Sequence, residues 1–261
     1  MNADGSDQRR LTNRAGLDEQ PVWSPDGTQV AFCGHHESSA QSLFLIDADG
    51  VNQARLTKHE GIWDFGPAWS PDGSRIAFTS NRDDNFELYL MNADGTNQHR
   101  LTDSTGQGGH CLSPAWSPDG TQLAFVSNRD GDDEIFVMGI IEGSRPAEDG
   151  MRKLTDNNAN DWWPVWSPYG SQIAFSSNRD GDYEVYVMSV DGNDVRQITD
   201  NDIDDWWPTW SPDESRIAFA SGFYGRMDIF VVAALREEEA GVLDPQRLTD
   251  GGTSIQPSWR P

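Results

Sequence analysis

The stretch from Trp69 to Thr102 reads WSPDGSRIAFTSNRDDNFELYLMNADGTNQHRLT. With Pro67-Ala68 before it, the stretch supplies the apolar pieces Pro67-Ala68-Trp69, Ile76-Ala77-Phe78 and Leu88-Tyr89-Leu90-Met91, and Arg100-Leu101-Thr102 closes the unit. Each is short, rich in β-branched or aromatic residues, and bounded by turn residues, so each reads as a strand. Ser70-Pro71-Asp72-Gly73 joins the first to the second. Proline presets φ for the second turn position, and glycine takes the left-handed one. Ala93-Asp94-Gly95 joins the third to the fourth in the same way.

The pattern recurs along the chain. WSPDG stands at Trp23–Gly27, Trp69–Gly73 and Trp116–Gly120, WSPYG at Trp166–Gly170, and WSPDE at Trp210–Glu214. Trp259-Arg260-Pro261 begins a last copy. Successive tryptophans lie 46, 47, 50, 44 and 49 residues apart. Four antiparallel strands in about 45 residues is the period of a β-propeller blade. No segment carries a 3.6-residue period, so helical solenoids do not fit.

These residues resemble the WD-repeat-like β-propeller repeat of the TolB family. The resemblance covers essentially the whole chain, and the motif recurs five times in register. It implies an all-β propeller, usually six-bladed, a periplasmic or extracellular location, and binding of proteins or peptides. Similar modules precede the catalytic domain of prolyl-oligopeptidase-like peptidases, and no hydrolase domain is present in this sequence.

One propeller domain over residues 1–261 is therefore expected. Its units span about 21–57, 67–102, 114–155, 164–199 and 208–249. A split sixth is expected from 256–261 with 1–12, because Met1-Asn2-Ala3-Asp4-Gly5 aligns with Met91-Asn92-Ala93-Asp94-Gly95. Its second strand and most of its third are missing, as in a piece taken from a longer propeller. An incomplete blade leaves an edge open to dimerisation or swapping.

The sequence has 261 residues, with 19 Lys+Arg against 43 Asp+Glu, a net charge of −24. Such an excess of acid repels nucleic acid and anionic lipid. No apolar run approaches the roughly 20 residues of a membrane-spanning helix, and no secretion signal is visible at the start. Cys33 and Cys111 are the two cysteines, read as free thiols. G-x-S-x-G, H-E-x-x-H, C-x-x-C and phosphate-binding glycine loops are absent, so no enzyme class is indicated.

Six of the 11 tryptophans belong to the repeat. The other five fall in fourth-to-first loops, beside acids: Trp63 with Asp64 and Phe65, Asp161 with Trp162 and Trp163, and Asp205 with Trp206 and Trp207. Equivalent places hold Asp18 and Glu19, His110 and Cys111, and Ser254 and Ile255. First strands line a propeller's channel, so this ring is expected at the channel mouth. Indole faces stack on sugars or cations, and carboxylates take hydroxyl, ammonium or guanidinium groups. The expected ligand is a protein, a basic peptide or a carbohydrate, and a gating or sensor propeller belonging to a larger peptidase-like protein is the further alternative. The bland alternative is that these tryptophans wedge between blades. Asp161 and Asp205 could also act as an acid–base pair.

The second-to-third loops add Arg82, Arg129 and Arg179, each followed by an acid, Glu87, Glu134 or Glu184. Cross-strand Arg–Glu pairs are the expectation. Asp130, Asp132 and Asp133 suggest calcium, although the full D-x-D-x-D-G…E loop is absent. Cys33, His35, His36, His110 and Cys111 share the mouth face but come from blades that are not neighbours, which argues against zinc. No cofactor is required by any motif. Arg236-Glu237-Glu238-Glu239, in one of two long third-to-fourth loops, reads as a solvated charge run.

Overall fold

The computed structural model describes residues 6–35, 40–104, 109–140, 150–223, 225–234, 245–252 and 256–260. These form five four-stranded antiparallel sheets, with strands in sequence order within each. Blade one is β1 (Asp18–Trp23), β2 (Gln29–His35), β3 (Gln41–Asp47) and β4 (Ala54–Arg55). Blade two is β5 (Asp64–Trp69), β6 (Arg75–Ser80), β7 (Glu87–Asn92) and β8 (His99–Arg100). Blade three is β9 (Cys111–Trp116), β10 (Gln122–Ser127), β11 (Glu134–Gly139) and β12 (Arg152–Lys153). Blade four is β13 (Asp161–Trp166), β14 (Gln172–Ser177), β15 (Glu184–Ser189) and β16 (Arg196–Gln197). Blade five is β17 (Asp205–Trp210), β18 (Arg216–Phe223), β19 (Arg226–Ala233) and β20 (Gln246–Arg247). No helix among the described residues is long and apolar enough to cross a membrane.

The turn acids have a structural task. Asp26 accepts from the Ser24 hydroxyl at 2.6 Å and the Thr28 amide at 3.0 Å, closing the turn before β2. Asp72, Asp119 and Asp213 repeat this. These hydrogen bonds hold the Asp72 and Asp213 carboxyls down at about 2, with the serine hydroxyl as the leading cause. The fifth turn residue is left-handed throughout, as Gly27, Gly73, Gly120 and Gly170, and blade five places Glu214 there at φ 57°.

The core lies between blades. Alternation sends large side chains of each second strand to one face and alanine to the other. Phe125 packs in one cluster with Ala77 of the preceding blade, Phe175 with Ala124, and Phe219 with Ala174. Phe78, Phe125 and Phe175 are wholly buried. Three of the repeat tryptophans stitch the same layers on the channel side. Trp116 Nε1 donates to Ala68 O, Trp166 to Ala115 O and Trp210 to Val165 O, at 3.2–3.3 Å.

The expected sixth sheet is not formed. Among the described residues neither 6–12 nor 256–260 carries a strand. A sheet needs adjacent partners, and among the described residues no strand lies beside either segment to complete one. The two flanking segments nevertheless make repeat-like contacts. Trp259 Nε1 donates to Thr209 O at 3.2 Å. Arg9 Nη2 donates to Ala48 O at 2.7 Å, as Arg196 does to Ala234 O. Arg10 Nε donates to Thr12 O at 2.6 Å, as Arg55 does to Thr57 O.

Candidate binding site at the channel mouth

Six residues precede the prolines that open the inner segments: Gln20, Gly66, Ser113, Trp163, Trp207 and Gln256. All six are left-handed, with φ between 52° and 62°. Right-handed helical geometry is disfavoured before proline. Here the backbone takes the opposite well and bulges each inner strand. The register shifts between Glu19 and Val22, Phe65 and Ala68, Trp162 and Val165, and Trp206 and Thr209. The bulges aim these side chains into a channel cavity of about 410 Å³, also lined by the six prolines that follow them. A left-handed conformation costs a side-chain-bearing residue about 1–2 kcal/mol, and here two tryptophans hold it.

The tryptophans form one cluster. Trp163 meets Trp162 at 5.2 Å between ring centroids, Trp206 at 5.1 Å and Trp207 at 5.0 Å. Trp206 also lies 3.9 Å from Tyr183. All four are partly exposed, and among the described residues the indole N–H groups of Trp206 and Trp207 have no hydrogen-bond partner. His110 extends the cluster towards blade three, 6.3 Å from Trp162, with its ring nitrogen 2.8 Å from Asp133. Across the mouth, exposed Trp63 packs edge-on against His35, which meets Glu19 at 3.3 Å. Phe65 is half-buried against Phe86. On the side without tryptophan, Gln256 Oε1 accepts from Gln20 N at 2.5 Å, and Gln20 Oε1 accepts from Gly66 N at 2.7 Å.

The acids divide differently from the sequence expectation. Asp64, Asp161 and Asp205 have no exposed surface, while Asp18 and Glu19 are half-buried. Asp64 receives Arg82 at 2.9 Å, and Asp161 receives Arg179 at 3.1 Å. The expected Arg–Glu pairs are replaced by these Arg–Asp pairs. Each guanidinium also lies over an aromatic ring, Arg82 over Tyr89 at 4.5 Å and Arg179 over Tyr186 at 4.6 Å. In blade three, Arg129 keeps its place over Phe136, and Cys111 Sγ accepts from it at 3.4 Å where other blades have aspartate. Burial pushes both thiols, Cys33 and Cys111, up from their ordinary value.

The glutamates turn to a different set of partners. Glu87 accepts from the Thr102 hydroxyl at 2.6 Å and the Ser104 amide at 2.6 Å. Glu184 accepts from Thr199 and from the Asn201 amide. Asn201 also donates to Asp205 at 3.0 Å, so a neutral amide holds two buried carboxyls together. Asn157 does the same between Glu134 and Asp161. Burial, then the neighbouring aspartate, raises Glu134 to about 7 and Glu184 to about 8, against the lowering effect of these donors.

Arg14 is a site residue that sequence reading missed. Blade one has Gly34 where the other blades have serine, and position 36, outside the described residues, where blades two to four have arginine. Arg14 enters from the preceding loop, pairs with Asp18 at 2.9 Å and lies 4.1 Å over Phe44. It thereby restores the Arg–Asp–aromatic arrangement out of register, which no motif comparison could reveal. Gln20 and Gln256 were legible as pre-proline residues. Among the described residues no group of three or more His, Cys, Asp or Glu is placed to hold a metal, the Asp130–Asp132–Asp133 loop included. His36 and the Arg236–Glu239 run lie outside the described residues.

The TolB beta propeller domain model matches over residues 1–108, 59–144 and 103–261, which together span the chain. Comparison with curated protein sequences gives no match. TolB from Acinetobacter baumannii superposes with a TM-score of 0.81 at 22% identity, covering 99% of this chain and 61% of that one. A putative TolB from Agrobacterium tumefaciens gives 0.78 at 24%, covering 97% and 89%. An oligogalacturonate lyase from Vibrio parahaemolyticus gives 0.62 at 18%, covering 91% and 68%. At these identities the solved structures establish the shared fold. The family match over the whole length, with the five repeated blades, establishes that this chain belongs to the TolB β-propeller domain family.

Proposed function

We propose that the propeller is a non-catalytic recognition scaffold and that its ligand seats at the channel mouth. Trp162, Trp163, Trp206 and Trp207 supply stacking faces, with Trp63, Phe65, His110 and Glu19 around the rim. The observation that carries this reading is the pair Trp163 and Trp207, held left-handed beside the channel. Strained backbone that places large, half-buried rings at an opening is a signature of function. The net charge of −24 favours a cationic partner, such as a basic peptide. Asp64, Asp161 and Asp205 act beneath the rings as supports. Asp161 is engaged by Arg179 and Asn157, which argues against an acid–base pair with Asp205.

Calorimetric titration with a panel of Arg- and Lys-containing peptides tests the site. Binding by the native chain, weakened at least tenfold in Trp163→Gly and Trp207→Gly, is expected. Unchanged binding in both variants discards the mouth. A carbohydrate ligand is the second reading, because the same indole faces suit sugar rings. A glycan panel in the same titration separates the two. The family resemblance favours a periplasmic setting, which fractionation of the native host would test.

The contacts of Arg9, Arg10 and Trp259 support a further element of this reading. Residues 6–12 and 256–260 act as the outer and inner strands of a split sixth unit. Leu11→Ser and Trp259→Ala should each lower stability by about 1–3 kcal/mol. No loss in either variant would discard the split unit.

A further inference from the structure

Blades two, three and four carry an arginine two residues after the serine that ends the second strand, and each arginine lies in the same socket. Arg82, Arg129 and Arg179 donate from Nε to Ser80, Ser127 and Ser177 at 2.9–3.1 Å. Each guanidinium covers a ring of the third strand, Tyr89, Phe136 or Tyr186, at 4.5–5.1 Å. In blades two and four its far nitrogen donates to Oδ1 of the aspartate that opens the first strand, Asp64 or Asp161. Blade one fills the equivalent place from outside the blade, with Arg14 on Asp18 and Phe44.

Blade five has the socket without the arginine. Phe223 stands two residues after Ser221 and is 67% exposed. Phe219 and Phe230 stack at 6.0 Å, as Phe175 and Tyr186 do at 5.8 Å, so the floor is the same. Asp205 is in register with Ser221, as Asp161 is with Ser177. Ser80, Ser127, Ser177, Tyr89, Phe136 and Tyr186 are buried, whereas Ser221 and Phe230 are partly exposed. What the arginine covers elsewhere is open here. Beneath them Asp205 is wholly buried, and Oδ2 accepts from Asn201. Its Oδ1, the oxygen that takes arginine in blades two and four, has no hydrogen-bond partner among the described residues. Burial raises this carboxyl above its ordinary value, and a guanidinium would supply the opposite charge it lacks.

We propose that the blade-five socket receives the guanidinium of an arginine from the bound peptide. The inference deepens the mouth reading and rests on it for the peptide, since Asp205 directly precedes Trp206 and Trp207. The guanidinium lies on Phe230, donates to the Ser221 hydroxyl and reaches Oδ1 of Asp205, as Arg179 does with its own partners in blade four. Lysine is a poor substitute, because a compact ammonium cannot lie flat on a ring while its donors span a hydroxyl and a carboxylate. Arg247 leaves room for the guest. It pairs with Asp228 and holds the fourth-strand place that Arg100 holds in blade two, where Arg82 fills the socket as well.

N-acetyl-arginine amide, titrated into the intact chain and followed by backbone amide chemical shifts, probes the socket by itself. Saturable shifts at Ser221, Gly222 and Phe230 are expected, with the lysine counterpart at least tenfold weaker. Phe223→Arg supplies the guanidinium from the chain, so it should raise the melting temperature and abolish the shifts. Phe223→Leu removes the ring without filling the socket and should leave them in place. Asp205→Asn keeps the shape, removes the charge and should weaken the amide at least tenfold. No saturable shift, an equal response to the arginine and lysine amides, or undiminished binding by either Phe223→Arg or Asp205→Asn overturns the proposal. Arginine peptides that bind the native and Phe223→Arg chains equally leave the mouth standing and remove the socket. An amide that fills the socket while no basic peptide binds upholds the socket and discards the peptide reading of the mouth.

Discussion

Arg14 occupies the space that a side chain at Gly34 would need. A Cβ placed on Gly34 would lie 1.8 Å from Arg14 Nη1. Blade one thus trades the repeat's serine for glycine, and its Arg–Asp pair is made by a residue from outside the blade.

That exchange predicts a non-additive mutant pair. Gly34→Ser in the native chain should destabilise it by about 1–3 kcal/mol, by pushing Arg14 off Asp18 and Phe44. Arg14→Ala alone should cost about 1–2 kcal/mol, through the lost pair and lost stacking. In the double variant the serine has room, so its cost should fall below the sum of the two. Urea unfolding of the four proteins measures the coupling. Simple additivity would show that the two residues do not compete for one space.

The left-handed tryptophans predict a separation of stability from binding. Glycine at position 163 or 207 removes about 1–2 kcal/mol of backbone cost and forfeits a similar amount of partly exposed packing. The net change in stability should stay within about 1 kcal/mol. Loss of several kcal/mol on urea unfolding would instead identify these rings as wedges between blades.

The carboxyl pairs set a pH dependence. Glu134 and Glu184 are raised above the ordinary carboxylate value, chiefly by burial. A raised folded value means the fold favours the protonated form. Their contribution is therefore complete below about pH 4.5 and is lost as pH rises through about 7 and 8. The turn acids Asp72 and Asp213, held at about 2, act in a separate window and lose their contribution as pH falls below 4. Glu184→Gln should flatten the decline between pH 5 and pH 8.5 in denaturant midpoints. A native chain whose midpoints fall no more steeply than the variant's over that range would contradict the assignment.

The threonine of the fourth piece differs in weight between blades. Thr102 accepts from Leu88 N and donates to buried Glu87. Thr57 accepts from Leu43 N in the same way, but blade one has Ser42 in place of the glutamate. Thr102→Val should cost about 1–3 kcal/mol, because it strips a donor from a buried carboxylate. Thr57→Val should cost less. Thermal melts of the two variants compare them directly, and equal losses would show that the glutamate adds nothing.

The blade was legible because its information is local. The pieces Pro-x-Trp, Ile-Ala-Phe and Leu-Tyr-Leu-Met alternate with a period of two, and turn residues stand between them. Each signal lies within a few residues of the next, and the structure forms five four-stranded sheets from them. The mouth was half legible. Trp162, Trp163, Trp206 and Trp207 do come together, because the repeat places them at equivalent points of adjacent blades. Asp64, Asp161 and Asp205 were expected beside them as ligand groups, yet they lie buried. Strand parity and the bulge before proline set those directions, and neither is written in residue type.

The sequence by itself determined the repeat, its strands, its turn chemistry and the family, since each rests on contacts between near neighbours. Only the tertiary structure decided which partner each charge takes. Arg82 and Arg179 reach aspartate across 18 residues, and Arg14 substitutes from outside its blade. Packing between blades joins residues from separate repeats, and closure of a ring is a property of the whole.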